Sequence, residues 1–213
     1  AKALTEKLGV IYKVNAIGLL MSSFDKSLSK DFKGLKKDVT EENVQARIRG
    51  VLLMAFANKF NGIVLATSNR SEVAVGYSTV YGDMVGGFSV LKDVPKTMVY
   101  KIAEEINISN EIIPKRIITR PPSAELSKNQ KDQDNLPDYE VLDAIIDLYI
   151  EKNKSVEMII NEGYSAQTVR KVIKLIHANE FKRRQAEPGP KITQKSFGKE
   201  RRYPITNKYE PFK

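Results

Sequence analysis

The stretch that decides the fold is residues 40–75, TEENVQARIRGVLLMAFANKFNGIVLATSNRSEVAV. Its first half predicts a helix that Thr40 can cap and that an Asn-Gly pair ends. Residues 63–67, IVLAT, form the continuous apolar run expected of a strand buried on both faces of a parallel sheet. Ser68 and Asn69 can each cap the helix that follows. Helix, strand and helix in this order predict an α/β fold with right-handed crossovers.

The flanking sequence continues this alternation in both directions. Gly9 is a usual C-terminal cap residue, so residues 1–8 are predicted as a helix, and Asp93 with Pro95 is predicted to begin another. We further predict strands at 10–17 and at Ile117-Ile118, a surface connection over 25–40, a polar loop over 123–138, and amphipathic helices at about 139–151, 155–163 and 165–181. The expected fold is a Rossmann-like parallel sheet flanked by helices.

Three consecutive parts are predicted. They are a nucleotide-binding α/β core over 1–138, a C-terminal helical part of the same domain over 139–184, and an extended basic arm over 185–213. From residue 182 onward, ten Lys and Arg residues stand against three acids, a balance of +7 within a net charge of +9. A basic surface that follows nucleic acid usually spreads over a folded face. We therefore expect no nucleic-acid partner.

The composition excludes several kinds of site. The 213 residues contain no cysteine and one histidine, which excludes disulfides, thiolate catalysis, zinc clusters and multi-histidine metal sites. No run approaches the roughly 20 apolar residues of a membrane span, and the N-terminus does not resemble a signal peptide. We expect a cytoplasmic protein without a membrane partner, whose chemistry uses carboxylates, lysines, hydroxyls and backbone amides.

Polar residues gather where the predicted strand meets the next helix, from Thr67 to Glu72. In open α/β sheets, ligands bind beyond the carboxyl ends of strands, and a helix N-terminus there attracts anions. Hydroxyls at this turn can contact a nucleotide, and Glu72 can hold Mg²⁺ or a ligand hydroxyl. The alternative is that these residues merely cap the helix.

Two other groups are candidates for ligand contacts. In the glycine-rich segment 76–87, Asp83 can accept from a ribose, although a plain turn explains the segment equally well. On the helix that begins near Thr40, Asn43 and Arg47 are four residues apart and share a face, whereas Arg49 points elsewhere. Solvated arginines are the simpler alternative.

Four segments, taken in order, resemble the synthetase domain of NAD synthetases. They are TEENVQARIRG (40–50), LATSNRSEVAVGYSTVYGDMVGGFSVLKDVPKT (65–97), the PPSAEL and DQDNLPDYE parts of 121–140, and NEFKRRQAEPGPKITQKSFGKERRYPIT (179–206). The similarity covers nearly the whole chain and is closest to the long, glutamine-dependent type. It implies the fold of the ATP pyrophosphatases, also called adenine nucleotide alpha-hydrolase-like.

The resemblance also implies a reaction. Mg-ATP adenylates the free carboxylate of deamido-NAD and releases pyrophosphate, after which ammonia, free or derived from glutamine, displaces AMP and gives NAD. The implied cofactors are ATP and Mg²⁺, and the implied assembly is a homo-oligomer. An adenylate is already a good leaving group, so positioning, Mg²⁺ and cationic side chains suffice without a protein nucleophile.

The family's site residues carry over onto particular positions. The resemblance implies ATP contacts at Thr67, Lys96 and Ser123, and deamido-NAD contacts at Asn43, Arg47, Glu72 and Lys182, with Glu72 also as a Mg²⁺ ligand. Two positions differ from the short, ammonia-dependent relatives, which have lysine at Val80 and histidine at Phe181. The long type tolerates both differences.

Two parts of the family pattern do not occur among these residues. They are the SGG.DS phosphate loop that follows the family's first strand, and the nitrilase-like glutaminase domain, which needs a cysteine. We therefore expect a fragment of a longer polypeptide, without that strand and loop, with little or no ATP-dependent activity alone. Two alternatives stay open: another ATP pyrophosphatase, such as a GMP synthetase or a tRNA-modifying enzyme, and a non-catalytic nucleic-acid-binding module that uses the arm.

Overall fold

The computed structural model describes residues 1–127, 129–206 and 209–211. Lys128 of the predicted polar loop and Lys208 and Lys213 of the predicted arm lie outside the described residues. The elements are α1 (Lys2–Leu8), α2 (Gly18–Leu28), α3 (Val39–Lys59), β1 (Leu65–Ala66), α4 (Arg70–Val75), β2 (Phe88–Ser89), α5 (Lys96–Ile106), α6 (Lys115–Thr119), α7 (Tyr139–Ile146), α8 (Val156–Asn161), α9 (Ala166–Ala178) and α10 (Glu180–Arg183). A 3₁₀ turn (Asp132–Asp134) precedes α7, and a π-helical turn (Asp147–Glu151) continues it.

The two strands pair in parallel, with Leu65 opposite Phe88 and Ala66 opposite Ser89. Their close approach depends on Gly86, where a Cβ atom would lie 3.0 Å from the carbonyl oxygen of Val64. The prediction of an α/β fold with a parallel sheet flanked by helices is confirmed, and the described sheet is small, with two strands. Within the predicted run 63–67, however, the strand itself is only two residues long.

The residue that caps α3 is Asp38, two residues before the predicted cap Thr40. The Asp38 carboxylate accepts from the Thr40 backbone N–H at 2.7 Å, and Glu41 accepts from the Asp38 backbone N–H at 2.8 Å. This reciprocal capping box satisfies donors that the helix leaves open, and it lowers the pKa of Asp38 through the bonds from Thr40. Thr40 therefore lies inside the helix.

Three predictions of local structure are wrong. Residues 10–17 are not a strand, because no described segment pairs with them and Ile11 is 87% exposed. Ile117-Ile118 lies in helix α6, since the φ of −52° at Pro114 suits the start of a helix. The predicted connection 25–40 begins inside α2, which packs on α3.

The hydrophobic core lies among the C-terminal helices. Side chains on α7, α8 and α9 are completely buried: Leu142, Ile145, Ile159, Val169, Val172, Ile173 and Ile176. Helix α4 is anchored in the same core by residues 73–75, which holds its N-terminal residues in place. None of the described helices combines the length and apolar character needed to cross a bilayer.

A buried guanidinium joins four parts of the chain. Arg70, at the first position of α4, bonds Asp93 at 2.7 Å, and both side chains are less than 5% exposed. The same guanidinium bonds Glu151 of the π-helical turn and Thr193 of the arm, and it lies 5.4 Å from the ring centre of Phe197. The described part of the arm is thus packed against the body of the protein. The division of the chain into a core, a helical part and an arm stays a prediction.

We expect Arg70→Met to lower the free energy of unfolding by about 3–5 kcal/mol, because it leaves Asp93 buried without its cation. The matched control is Asp147→Asn, which breaks the exposed Lys152–Asp147 pair and should change stability little. Urea unfolding measures both changes. An Arg70→Met protein as stable as the wild type would contradict the role of the buried pair.

Candidate active site

A cavity of about 1160 Å³ lies between α3, α4, the start of α5, the loop after Pro121 and the C-terminal end of α9. Its volume exceeds the upper range of drug-sized ligand pockets, so it has room for a dinucleotide. Of the seven site residues that the family resemblance implies, five line it: Asn43, Glu72, Lys96, Ser123 and Lys182. Residues far apart in the chain therefore share one space.

Glu72 and Lys96 form an ion pair in the cavity wall. The Lys96 Nζ donates to Glu72 Oε1 at 3.3 Å, and each side chain is 19% exposed. Glu72 also accepts from the Asn69 backbone N–H at 3.3 Å, while Asn69 accepts from the Glu72 N–H at 3.1 Å. Burial raises the pKa of Glu72, and Lys96 opposes that shift only in part. The capping role foreseen for Asn69 and the ligand role foreseen for Glu72 are therefore compatible.

Two tyrosines and an aspartate next to this pair were not singled out from the sequence. Lys96 Nζ lies 5.4 Å from the ring centre of Tyr139, whose hydroxyl donates to buried Asp132 at 2.7 Å. Burial and this bond raise the pKa of Tyr139, and burial together with Asp132 raises the pKa of Tyr77 to about 12. Both phenols therefore stay protonated near neutral pH. The only sequence signal for Asp132 and Tyr139 is their place in the segment DQDNLPDYE.

The arginines of α3 are placed differently from the sequence-based expectation. Arg49 lines the cavity, whereas Arg47 is exposed, lies outside the lining and donates from Nε to the Val80 carbonyl at 3.2 Å. Asn43 does line the cavity, and its side-chain oxygen accepts from the Thr79 hydroxyl at 2.8 Å. The spacing along the helix places Arg47 on the face of Asn43, but it is Arg49 that lines the cavity.

The other candidate residues differ in how they meet the cavity. Lys182 donates to the carbonyls of Gly76 and Ser78, both at 2.7 Å, and burial lowers its pKa. The Ser123 hydroxyl accepts from the Glu125 backbone N–H at 3.1 Å. Thr67 is exposed and lies outside the lining.

Asp83 lines the cavity and already has a partner in its own loop. Its carboxylate accepts from the Thr79 backbone N–H at 2.6 Å. The loop packs tightly on α3, since a Cβ at Gly50 would lie 3.0 Å from the carbonyl oxygen of Tyr81. Asp83 thus stabilises the loop, and its remaining lone pairs are available to a ligand.

Comparisons with known proteins identify close relatives. A family model described as NAD synthase matches residues 1–186. The glutamine-dependent NAD(+) synthetase of Acinetobacter baylyi is 52% identical over 207 residues, which are 96% of this chain and 38% of that protein. The protein of the same name from Aquifex aeolicus is 51% identical, over 98% of this chain and 37% of its own length. The chain therefore spans little more than a third of the length of these relatives.

One solved structure supports the same family, and a second supports the fold. The glutamine-dependent NAD+ synthetase from Acinetobacter baumannii, in complex with adenosine diphosphate, is 45% identical with a TM-score of 0.55, over 96% of this chain and 36% of that one. A glutamine-dependent NAD(+) synthetase from Cytophaga hutchinsonii has a TM-score of 0.78 over 97% of this chain and 36% of that one. At 24% identity, the second match supports the fold alone.

Glu72→Gln should remove part of the pH dependence of stability. Burial raises the pKa of Glu72 above its ordinary 4.5, so the folded state keeps a proton that the unfolded chain has already released. The contribution of Glu72 to wild-type stability should therefore fall as the pH rises from 4.5 through the raised pKa, and the variant should lack this contribution. Urea unfolding at several pH values measures the difference.

Glu140→Gln is the control for this experiment, because Glu140 is an exposed carboxylate on α7. It should keep the wild-type dependence on pH. A Glu72→Gln profile that also matches the wild type would show that the carboxylate is not held at a raised pKa.

Proposed function

The chain belongs to the NAD synthase family, and we propose that it carries the site at which deamido-NAD is amidated with Mg-ATP. In the proposed reaction, the free carboxylate of deamido-NAD attacks the α-phosphorus of ATP and pyrophosphate leaves. Ammonia then attacks the acyl carbon, the C–N bond forms, AMP leaves and the nitrogen loses a proton. The nitrogen comes from ammonia or, as in the relatives named glutamine-dependent, from glutamine.

The observation that carries this proposal is the convergence of five candidate residues on one cavity. Lys96 and Lys182 place two cations in its wall, and Asn43 and Ser123 add polar groups without charge. Cations and donors are what a substrate with several phosphates requires. We assign ATP contacts to Lys96 and Ser123, and deamido-NAD contacts to Asn43, Glu72 and Lys182.

The predicted contacts of Thr67 with ATP and of Arg47 with deamido-NAD stay predictions. Both residues are exposed and lie outside the cavity lining. Deamido-NAD and ATP together are long ligands, so a contact beyond the wall of this cavity is compatible with the proposal.

Glu72 is the residue that fits a Mg²⁺ ion. In the described part of the chain, no group of three His, Asp or Glu side chains is arranged to hold a metal. A single carboxylate is nevertheless typical of Mg²⁺ sites that are completed by substrate phosphates and water. Bound there, Mg²⁺ would neutralise phosphate charge. Lys96 bonds the same carboxylate and can turn to the phosphates instead.

The chain's own groups would act mainly by holding the substrates. The ring of Tyr139 lies 5.4 Å from the Lys96 ammonium, and the bond from the Tyr139 hydroxyl to Asp132 holds that ring in place. Lys182 donates to the carbonyls of Gly76 and Ser78 and so stabilises the loop that forms another side of the cavity. Groups held in place before the substrate binds stabilise developing charge without reorganising.

Contacts of the arm disfavour the nucleic-acid alternative. Lys191 bonds Glu200, Lys195 bonds the Glu151 carbonyl, and Arg201 donates to the Ile150 carbonyl. These cations are engaged within the chain, which leaves fewer of them for a phosphate backbone. We further propose that the protein works in the cytoplasm as a homo-oligomer.

The activity test uses the full-length polypeptide that carries these residues, with deamido-NAD, Mg-ATP and ammonium chloride. NAD, AMP and pyrophosphate should appear in equal amounts. In thermal shift, deamido-NAD should stabilise the protein whereas xanthylate and tRNA should not; a ligand at 100 times its Kd contributes about 2.7 kcal/mol. Stabilisation by xanthylate or tRNA alone would support a different ATP pyrophosphatase.

Lys96→Met should raise the KM for ATP about tenfold or more, because it removes a charge-assisted contact and keeps the length of the side chain. Lys101→Met is the matched control, since Lys101 is on the same helix and exposed outside the cavity. Steady-state kinetics with both variants measure the effect. Equal KM values for the two would remove Lys96 from the ATP site.

A further inference from the structure

Asp143 lies on α7, outside the lining of the cavity, and binds two neighbouring helices at once. Its Oδ2 accepts from the backbone N–H and from the hydroxyl of Thr97, both at 2.9 Å. Its Oδ1 accepts from the hydroxyl of Ser71. One carboxylate therefore connects the second residue of α5 to the second residue of α4.

The residues that Asp143 holds are covalent neighbours of the ion pair in the cavity. Ser71 precedes Glu72, and Thr97 follows Lys96. The Ser71 hydroxyl also accepts from the Lys96 backbone N–H at 2.9 Å. A continuous chain of hydrogen bonds thus runs from Asp143 through Ser71 to the backbone of Lys96.

The start of α5 needs such a partner. The residue before it is Pro95, which provides no side-chain cap, so the first N–H groups of the helix have no acceptor of their own. Ser71 and Asp143 supply acceptors for the N–H groups of Lys96 and Thr97. The negative charge of Asp143 also suits the positive end of the helix dipole. Capping from another helix fixes both the position and the rotation of the first turn of α5.

We propose that Asp143 is a positioning residue that holds Lys96 against Glu72 in the ligand-binding geometry, an inference that rests on the proposed function of that pair. Asp143 touches no substrate. Its carboxylate sets where α5 begins relative to α4, and hence where the Lys96 ammonium reaches into the cavity. Removing its charge leaves Lys96 in the chain but loosens its placement.

A double-mutant cycle in the full-length polypeptide tests this proposal. Asp143→Asn should lower kcat/KM for ATP about tenfold, because a hydrogen bond to a charged group is lost next to Lys96. In a Lys96→Ala background, the same substitution should cost less than about twofold, because the group that Asp143 positions is gone. The melting temperature should fall similarly in both backgrounds, which a purely structural role would also predict, so the coupling in kcat/KM is the decisive readout.

Ser71→Ala is the second variant, because it breaks the same chain of bonds with a smaller change in volume. It should show the same dependence on Lys96. Glu140→Gln, which removes an exposed charge from α7, is the control and should keep wild-type kinetics. An equal loss from Asp143→Asn with and without Lys96, or no loss at all, would overturn the positioning role.

A failure of the proposed function gives a different result from a failure of the positioning role. A wild-type polypeptide that forms no NAD counts against that function only. The cycle can then be measured through the thermal stabilisation that ATP gives, where the same coupling between Asp143 and Lys96 is expected, and additive effects there would again overturn the proposal.

Discussion

The buried Arg70 guanidinium constrains the parts of the structure that surround the site. It occupies the first position of α4, pairs with Asp93 just before α5, and bonds Glu151 and Thr193 from the C-terminal part of the chain. A cation buried this deeply is tolerated only when its hydrogen bonds are satisfied by partners in fixed places. The beginnings of α4 and α5 and the arm are therefore held in one arrangement.

A second set of hydrogen bonds, around Asp143, connects the same two helices. Asp143 holds Ser71, the residue after Arg70 on α4, and Thr97 on α5, four residues after Asp93. The ion pair in the cavity wall is thus positioned by contacts that do not themselves line the cavity. Glu72 and Lys96 are the groups proposed to meet the substrates, and the contacts of Arg70 and Asp143 hold the two helices that carry them. Ligand sites require this division, because a group that binds substrate must not depend on the substrate for its position.

Predictions from the sequence were right where the local signal was strong. They were wrong where a structure depends on a neighbouring segment of the chain. The helix that includes Asn43 carries its own capping residues and was predicted closely, apart from two residues at its start. The strand predicted at 10–17 was wrong, because apolar character cannot make a strand without a neighbour to complete its hydrogen bonds. The strand predicted at Ile117-Ile118 was also wrong, because these two β-branched residues lie in helix α6, which begins directly after Pro114.

In the candidate site, too, some features follow from the sequence and others only from the tertiary structure. By itself, the sequence determined the fold class and the family, because the capped helices, the apolar run before Thr67 and the ordered motifs are properties of the chain alone. Only the tertiary structure decided which candidates meet: Asn43, Glu72, Lys96, Ser123 and Lys182 share a cavity that Arg49 and Asp132 also line, whereas Arg47 does not. Tyr139 lies outside this lining, with its ring 5.4 Å from the Lys96 ammonium. The physical reason is that a side chain's direction and burial depend on how helices distant in sequence pack together, and no local pattern encodes that packing.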